Sequence, residues 1–201
     1  MLNSNAINQL IRSPQSDLGI APLLDQEKLE NGGDASIDLR LGCWFIQPRT
    51  ERFSQFDFAN PTDQSEDFLT QKTYVPFGRH FILHPHSFVL AATLEWIKIP
   101  NDLAGYVTGK SSLGRRGLVI ETAPGVHPGF LGCLTLELAN IGEVPLVLHP
   151  GMTVCQLFLH QITSGKLKEA DTRFRGERQP RLGIYKPDPI MKALQKSRKV
   201  E

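Results

Sequence analysis

Ser36-Ile37-Asp38-Leu39-Arg40-Leu41 alternates strictly between polar and apolar residues. A strand sends successive side chains to opposite faces, so Ile37, Leu39 and Leu41 share one side of a sheet. Cys43 to Ile46 either continues that strand or follows it as a second one. Similar short segments recur downstream: Phe81–Leu83, Phe88–Leu94, Trp96–Ile99, Leu103–Thr108, Val119–Thr122, Leu134–Leu138, Leu146–Leu148 and Val154–His160. They are about 8–15 residues apart, with Pro and Gly in the gaps. No helix of ordinary length is expected between residues 35 and 160, which excludes alternating strand–helix units. The pattern predicts an all-β sandwich or barrel-like fold.

The flanks read differently. Ile7, Leu10 and Ile11 fall on one face of a short helix over residues 3–12, with Asn3 or Ser4 as its N-cap and Pro14 beyond its end. Gly19-Ile20-Ala21-Pro22 and Asn31-Gly32-Gly33 are turn material. Residues 50–72 are polar, with Phe53, Phe56, Phe58 and Phe68 spread through them. They predict a long loop or hairpin insertion anchored by its phenylalanines, or simply a surface loop. After His160 there are eleven Lys and Arg against five acidic residues, and Pro189 to Lys196 could form a short helix. Such a basic tail is either solvated or faces phosphate. The expected organisation is one domain: helix and loops over 1–34, a β core over 35–160 and a basic segment over 161–201.

Composition narrows the function. The 201 residues carry 22 Lys and Arg against 21 Asp and Glu, a formal charge of +1. A dedicated nucleic-acid binder is usually far more basic, so no nucleic-acid partner is expected. Cys43, Cys133 and Cys155 are odd in number and form no C-x-x-C pair, which fits a reducing compartment. No signal peptide is visible, and no run approaches ~18 apolar residues, so neither a membrane span nor export is expected. The cytoplasm is the expected location.

Three segments could carry chemistry. Gly109-Lys110-Ser111-Ser112-Leu113-Gly114-Arg115-Arg116-Gly117-Leu118 packs two hydroxyls, three cations and three glycines into ten residues. That combination suits a phosphate chain, because glycine admits close approach, hydroxyls donate and cations neutralise. A solvated glycine-rich turn would read the same way. The order of a Walker A loop is missing. Glu121 to Phe130 looks like a strand running into a Pro/Gly-rigid hairpin, which could present backbone groups to a base edge. In Leu134-Thr135-Leu136-Glu137-Leu138 the leucines point one way and Thr135 and Glu137 the other. Glu137 either faces bulk water or lines a cleft, where desolvation would suit it to general acid/base work. His84-x-His86 lacks a third ligand for a metal. The zinc-deaminase signature and the G-x-S-x-G elbow are absent. Cys133 and Cys155 read as core residues rather than nucleophiles.

Taken in order, these segments resemble the dCTP deaminase family, within the trimeric dUTPase-like superfamily. Ala35 to Leu41 resembles the family's S-x-D-x-R-L strand. Gly109 to Arg115 matches its G-[RK]-S-S-x-[AG]-R phosphate segment. Thr122-Ala123 with Pro128-Gly129-Phe130 and Gly132 matches its hairpin, and Thr135-Leu136-Glu137 its catalytic glutamate segment. Pro150-Gly151-Met152 and Gln156-Leu157 match the next strand. Arg173-Phe174-Arg175-Gly176-Glu177-Arg178 looks like its nucleotide-closing K-Y-x-G-Q segment.

The resemblance implies a dUTPase-like β-clip, a distorted jelly roll with short terminal helices, assembled as a homotrimer with sites between subunits. It implies hydrolysis of dCTP to dUTP and ammonia without zinc, with Mg2+ accompanying the triphosphate and dTTP as a possible feedback inhibitor. Glu137 would activate water for attack at C4, and Ser111 and Arg115 would orient it. Lys110, Ser111, Ser112 and Arg115 would contact the phosphates, with Leu113 and Gly114 among the substrate-binding residues. Thr122 and Ala123 would offer backbone groups to the pyrimidine and His127 would hydrogen-bond the sugar, with Thr135, Leu136 and Glu137 also substrate-binding and Arg173 and Glu177 in the closing segment.

Three features depart from the family pattern. His127 replaces the Asp of I-D-P-G-[FW], the hairpin is one residue shorter than in the monofunctional bacterial type, and Arg173, Phe174 and Glu177 replace Lys, Tyr and Gln. A carboxylate near a triphosphate needs an offsetting cation such as Arg178. Besides the deaminase reading, two others stay open: a dUMP-releasing bifunctional enzyme or dUTPase, and a non-catalytic nucleotide-binding regulator.

Overall fold

The computed structural model describes residues 1–52, 55–60, 65–121, 125–162, 176–183, 185 and 188–197. The Asn3 side chain accepts the Ala6 amide at 2.9 Å and caps helix α1 (Ser4–Arg12). Next come β1 (Gly19–Ala21), helix α2 (Gln26–Asn31), β2 (Ile37–Pro48), a one-turn α3 (Glu66–Leu69) and β3 (Thr70–Tyr74). The chain continues through β4 (Phe81–Leu83), β5 (Phe88–Lys98), β6 (Leu103–Gly109), a one-turn α4 (Ser111–Gly114), β7 (Leu118–Glu121) and β8 (Gly125–Val126). Then follow β9 (Leu131–Asn140), β10 (Leu146–Leu148), β11 (Thr153–Gln161) and α5 (Pro189–Ser197).

The main sheet has the order β7-β9-β5-β2-β11-β6-β8, with β1 added on β5 and β3 on β2; β4 and β10 form a separate ladder. These pairings are antiparallel. The expected all-β architecture with short terminal helices is what the chain adopts. Ile37, Leu39 and Leu41 are buried on one side of β2, with Leu136, Leu138, Leu157 and Leu159 in the same core. Each such side chain removed from water contributes about 1.5–3 kcal/mol.

Strand β2 changes partner midway. Ile37 to Arg40 lie against β11, whereas Leu41 to Ile46 lie against β5. The switch brings backbones very close: a Cβ on Gly42 would stand 2.9 Å from the Ala92 carbonyl oxygen. Opposite it, the register between β5 and β9 breaks between Ala92 and Trp96. Side chains replace the interrupted ladder. Thr93 Oγ1 accepts the Leu134 amide at 2.9 Å and donates to the Glu95 carbonyl at 2.9 Å. The Arg40 backbone N–H donates to Glu95 Oε2 at 2.8 Å. Thr93 and Glu95 are both 2% exposed.

Several details differ from the sequence reading. Gly19 to Ala21 forms β1 instead of a turn because β5 offers it a ladder. Helix α2 was not expected; it ends at Gly32, with φ 70°. Cys43 to Ile46 continues β2, and Phe88 to Lys98 is one bulged strand instead of two. The 50–72 segment contributes α3 and leads into β3, but Phe56, Phe58 and Phe68 do not anchor it in the core. Phe56, Phe58 and Phe68 are exposed, Phe58 packing edge-on against Tyr185 and Phe68 lying under Arg52. Phe53 lies outside the described residues.

Burial pushes the Glu95 carboxyl up to about 7, against the lowering effect of the Arg40 N–H. The folded chain therefore retains a proton that the unfolded chain releases near pH 4.5. Stability from this site is full below pH 4.5 and is lost as pH rises through 7. Glu95→Gln keeps an acceptor for Arg40 and removes the titration. Urea unfolding at a series of pH values should show the wild-type advantage over Glu95→Gln falling by about 3 kcal/mol between pH 4.5 and 8. Parallel curves for the two proteins would remove Glu95 from the pH dependence.

Candidate active site

The phosphate-type segment begins where β6 ends. Lys110 occupies the N-cap position of α4, and its backbone N–H reaches the Val154 carbonyl of β11 at 3.0 Å. The Leu113 and Gly114 amides fold back on the Lys110 carbonyl, and the Arg115 amide on that of Ser111. Gly117 then turns the chain into β7 at φ 91°, a left-handed conformation that suits glycine. A Cβ there would also meet the Gly142 nitrogen at 2.9 Å. The turn leaves Ser111, Ser112, Gly114, Arg115 and Arg116 exposed, while Leu113 packs against the core. Arg116 reaches the Ser112 carbonyl at 2.7 Å.

Lys110 is held differently. Its ammonium pairs with Asp38 of β2 and donates to Gln156 Oε1 of β11 at 3.3 Å. Asp38 also takes Lys28 of α2 at 3.0 Å, and Lys28 in turn takes Asp34 at 2.9 Å. Ser36 Oγ donates to the same Gln156 oxygen at 3.4 Å. Burial pushes the Asp38 carboxyl up, but hydrogen bonds from Lys110 and Lys28 outweigh it and hold the group below the usual carboxylate range.

Glu137 stands in the middle of β9, between β7 and β5. Its register partners are Glu121 on one side and Leu90 on the other. Leu136 and Leu138 are fully buried, whereas Thr135 and Glu137 are half-buried on the opposite face. Leu136 therefore belongs to the core, and only its backbone is available to a ligand. Leu118 pairs with Asn140 and Glu121 with Glu137. Glu137 thus lies three residues, ~10 Å, along the sheet from the point where α4 leads into β7.

The remaining candidates are spread out. Thr122, Ala123 and Arg173 lie outside the described residues. His127 is exposed, and its carbonyl accepts the Phe130 amide at 3.1 Å in the turn that opens β9. Gly176 and Glu177 run beside the start of β9, with the Cys133 amide donating to the Glu177 carbonyl at 2.8 Å. The cation offsetting Glu177 is Arg181, at 3.1 Å, and not Arg178. Burial pushes the thiols of Cys133 and Cys155 up to about 11 and about 12, which fits packing rather than nucleophilic roles. His86 Nε2 lies 3.8 Å from Glu143 on the surface. Among the described residues there is no group of three or more His, Cys, Asp and Glu placed to hold a metal, and no helix is long and apolar enough to cross a membrane.

Asp38 and Gln156 carry no local signal of a role at the site. Alternation placed Asp38 on the polar face of β2, yet nothing local tells that Lys110 folds onto it. Glu121 was missed as the neighbour of Glu137 because strand register is not written in either strand alone.

A family model described as dCTP deaminase-like matches residues 1–162. A Dictyoglomus thermophilum protein named dCTP deaminase, dUMP-forming, is 37% identical over 171 residues, covering 83% of this chain and 86% of that protein. A Halorubrum lacusprofundi protein named dCTP deaminase is 44% identical over 163 residues, 77% of this chain and 75% of that one. The crystal structure of 2'-deoxycytidine 5'-triphosphate deaminase from Agrobacterium tumefaciens shares the fold at a TM-score of 0.58 and 21% identity. That match covers 79% of this chain and 47% of the other, so this chain spans just under half of its length. A family model that matches from Met1 through the end of β11, together with relatives at these identities and coverages, leads to one assignment: the chain belongs to the dCTP deaminase family.

Proposed function

We propose that this protein removes the 4-amino group of dCTP by hydrolysis, giving dUTP and ammonia. The observation that carries the reading is Glu137, a carboxylate half-buried between two fully buried leucines, one short strand away from the Lys110–Arg115 turn. Glu137 takes a proton from water as the water oxygen bonds to C4 and the C4–N3 double bond opens, and delivers it to N3; it then carries the remaining hydroxyl proton to the amino group as the C4–N4 bond breaks and C4=O forms. Ser111 and Arg115 orient the water and the glutamate, with no zinc required. Lys110, Ser111, Ser112 and Arg115 hold the triphosphate, which brings Mg2+ with it as part of the substrate. Thr122 and Ala123 offer backbone groups to the pyrimidine, and Thr135 and His127 border the sugar. A single β subunit presents Ser111 and Arg115 on an open surface, which supports a homotrimer whose neighbouring chains complete the wall. The segment containing Arg173 and Glu177 closes over the nucleotide.

Product identity turns on His127. Relatives named dUMP-forming favour a second reading, in which the triphosphate is also cleaved. Against it, a permanently charged aspartate activates water better than a histidine whose charge and tautomer vary near neutral pH. We therefore infer that the reaction stops at dUTP.

Glu137→Gln should lower ammonia release from dCTP by ~10²–10⁴-fold while the oligomer and nucleotide binding persist; near-normal turnover in the folded variant would remove Glu137 from the mechanism. Chromatographic product analysis should find dUTP from the wild type, with dUMP and pyrophosphate arising only in His127→Asp. Substantial dUMP from the wild type would establish the second reading instead. Light scattering at assay concentration should give a trimer, and an active monomer would defeat the shared-wall argument.

A further inference from the structure

We propose that Asp38 is a positioning residue for the triphosphate, acting through Lys110. The inference rests on the phosphate-binding role of Lys110 given above. Asp38 and Gln156 are register partners on adjacent strands, and both reach the same ammonium. Lys110 is therefore seated over β11 by two acceptors from the sheet as well as by its own backbone bond to Val154. Two of its three N–H donors are engaged among the described residues, which leaves one for an anionic oxygen. Lysine otherwise carries a point charge on a stem with four rotatable bonds, and ordering that stem opposes binding. Fixing it before the ligand arrives removes that cost from the binding step.

The charge balance supports positioning over attraction. Lys28, Lys110, Asp34 and Asp38 form a connected group of two cations and two anions. The group adds no net positive charge to the phosphate turn. What it adds is geometry: Asp38 is clamped on its other oxygen by Lys28, so it is itself a fixed point. Simple competition between Asp38 and phosphate for Lys110 would predict the opposite effect of removing the carboxylate.

The test is equilibrium binding of dCTP by calorimetry, using full-length protein carrying Glu137→Gln as the parent so that substrate persists. Asp38→Asn should weaken dCTP binding about 10-fold, the loss of one charge-assisted hydrogen bond's worth of preorganisation. In a Lys110→Met background the same substitution should change affinity less than about 2-fold, because its effect passes through Lys110. Asp38→Glu, which keeps the charge and moves it by one methylene, should give an intermediate loss that also vanishes with Lys110→Met. It serves as the informative variant if Asp38→Asn does not fold. Lys28→Met, which frees the other Asp38 oxygen, should weaken binding by less than Asp38→Asn, and that loss too should vanish with Lys110→Met. Unchanged or tighter binding by the Asp38 variants overturns the proposal. So does a loss of equal size with and without Lys110, which would mark a role in the fold alone. If Lys110→Met binds dCTP as tightly as the parent, the phosphate role of Lys110 fails first and this inference with it.

Discussion

The architecture depends on the close crossing of β2 and β5. At Gly42 the two backbones come within a distance that no Cβ tolerates, and on either side of that point β2 belongs to different neighbours. Such a crossing breaks ladder hydrogen bonds in the middle of the core, where an unpaired amide costs about 1–3 kcal/mol. Thr93 and Glu95 supply the missing partners from side chains. Burying a carboxyl there is tolerable because it accepts the Arg40 amide and keeps its proton up to neutral pH.

That crossing also determines where the candidate site residues sit. Because β2 leaves β11 at this point, its first half lies next to the strand that supports the phosphate-type turn. Asp38, Gln156 and Lys110 meet there. The second half of β2 pairs with β5, which carries β9 and Glu137 on its far side. One strand therefore links the cation-bearing turn to the layer that holds the carboxylate. A continuous ladder of paired strands between the two groups fits the proposed reaction, in which an anionic tail is anchored while water is placed on a ring at the other end.

Electrostatics in the phosphate turn is more balanced than its sequence suggests. Three cations in ten residues look like a free positive patch. In the folded chain Lys110 is neutralised by Asp38, and Arg116 turns back onto the Ser112 carbonyl. Arg115 and the two serines stay exposed. The turn thus combines one fixed cation with exposed groups that can adapt to a ligand.

The sequence by itself determined the β class, the main strands, the capped N-terminal helix and the placement of Glu137 on the polar side of an apolar strand. Each of these is a local property: alternation with period two, a cap three residues from its amide, a glycine at a turn. Family membership was legible for the same reason, since its motifs are short and ordered along the chain. Only the tertiary structure decided that Phe88 to Lys98 is one bulged strand and that Gly19 to Ala21 is paired. It alone revealed that Phe56, Phe58 and Phe68 stay exposed and that Glu121 stands opposite Glu137 in register. It also decided the partners of polar and charged groups: the Arg40 backbone amide with Glu95, Lys110 with Asp38, Glu177 with Arg181. The first two pairs join residues 55 and 72 positions apart. In the third, the adjacent Arg178 is the cation the sequence suggests, whereas the folded chain pairs Glu177 with Arg181, four residues on.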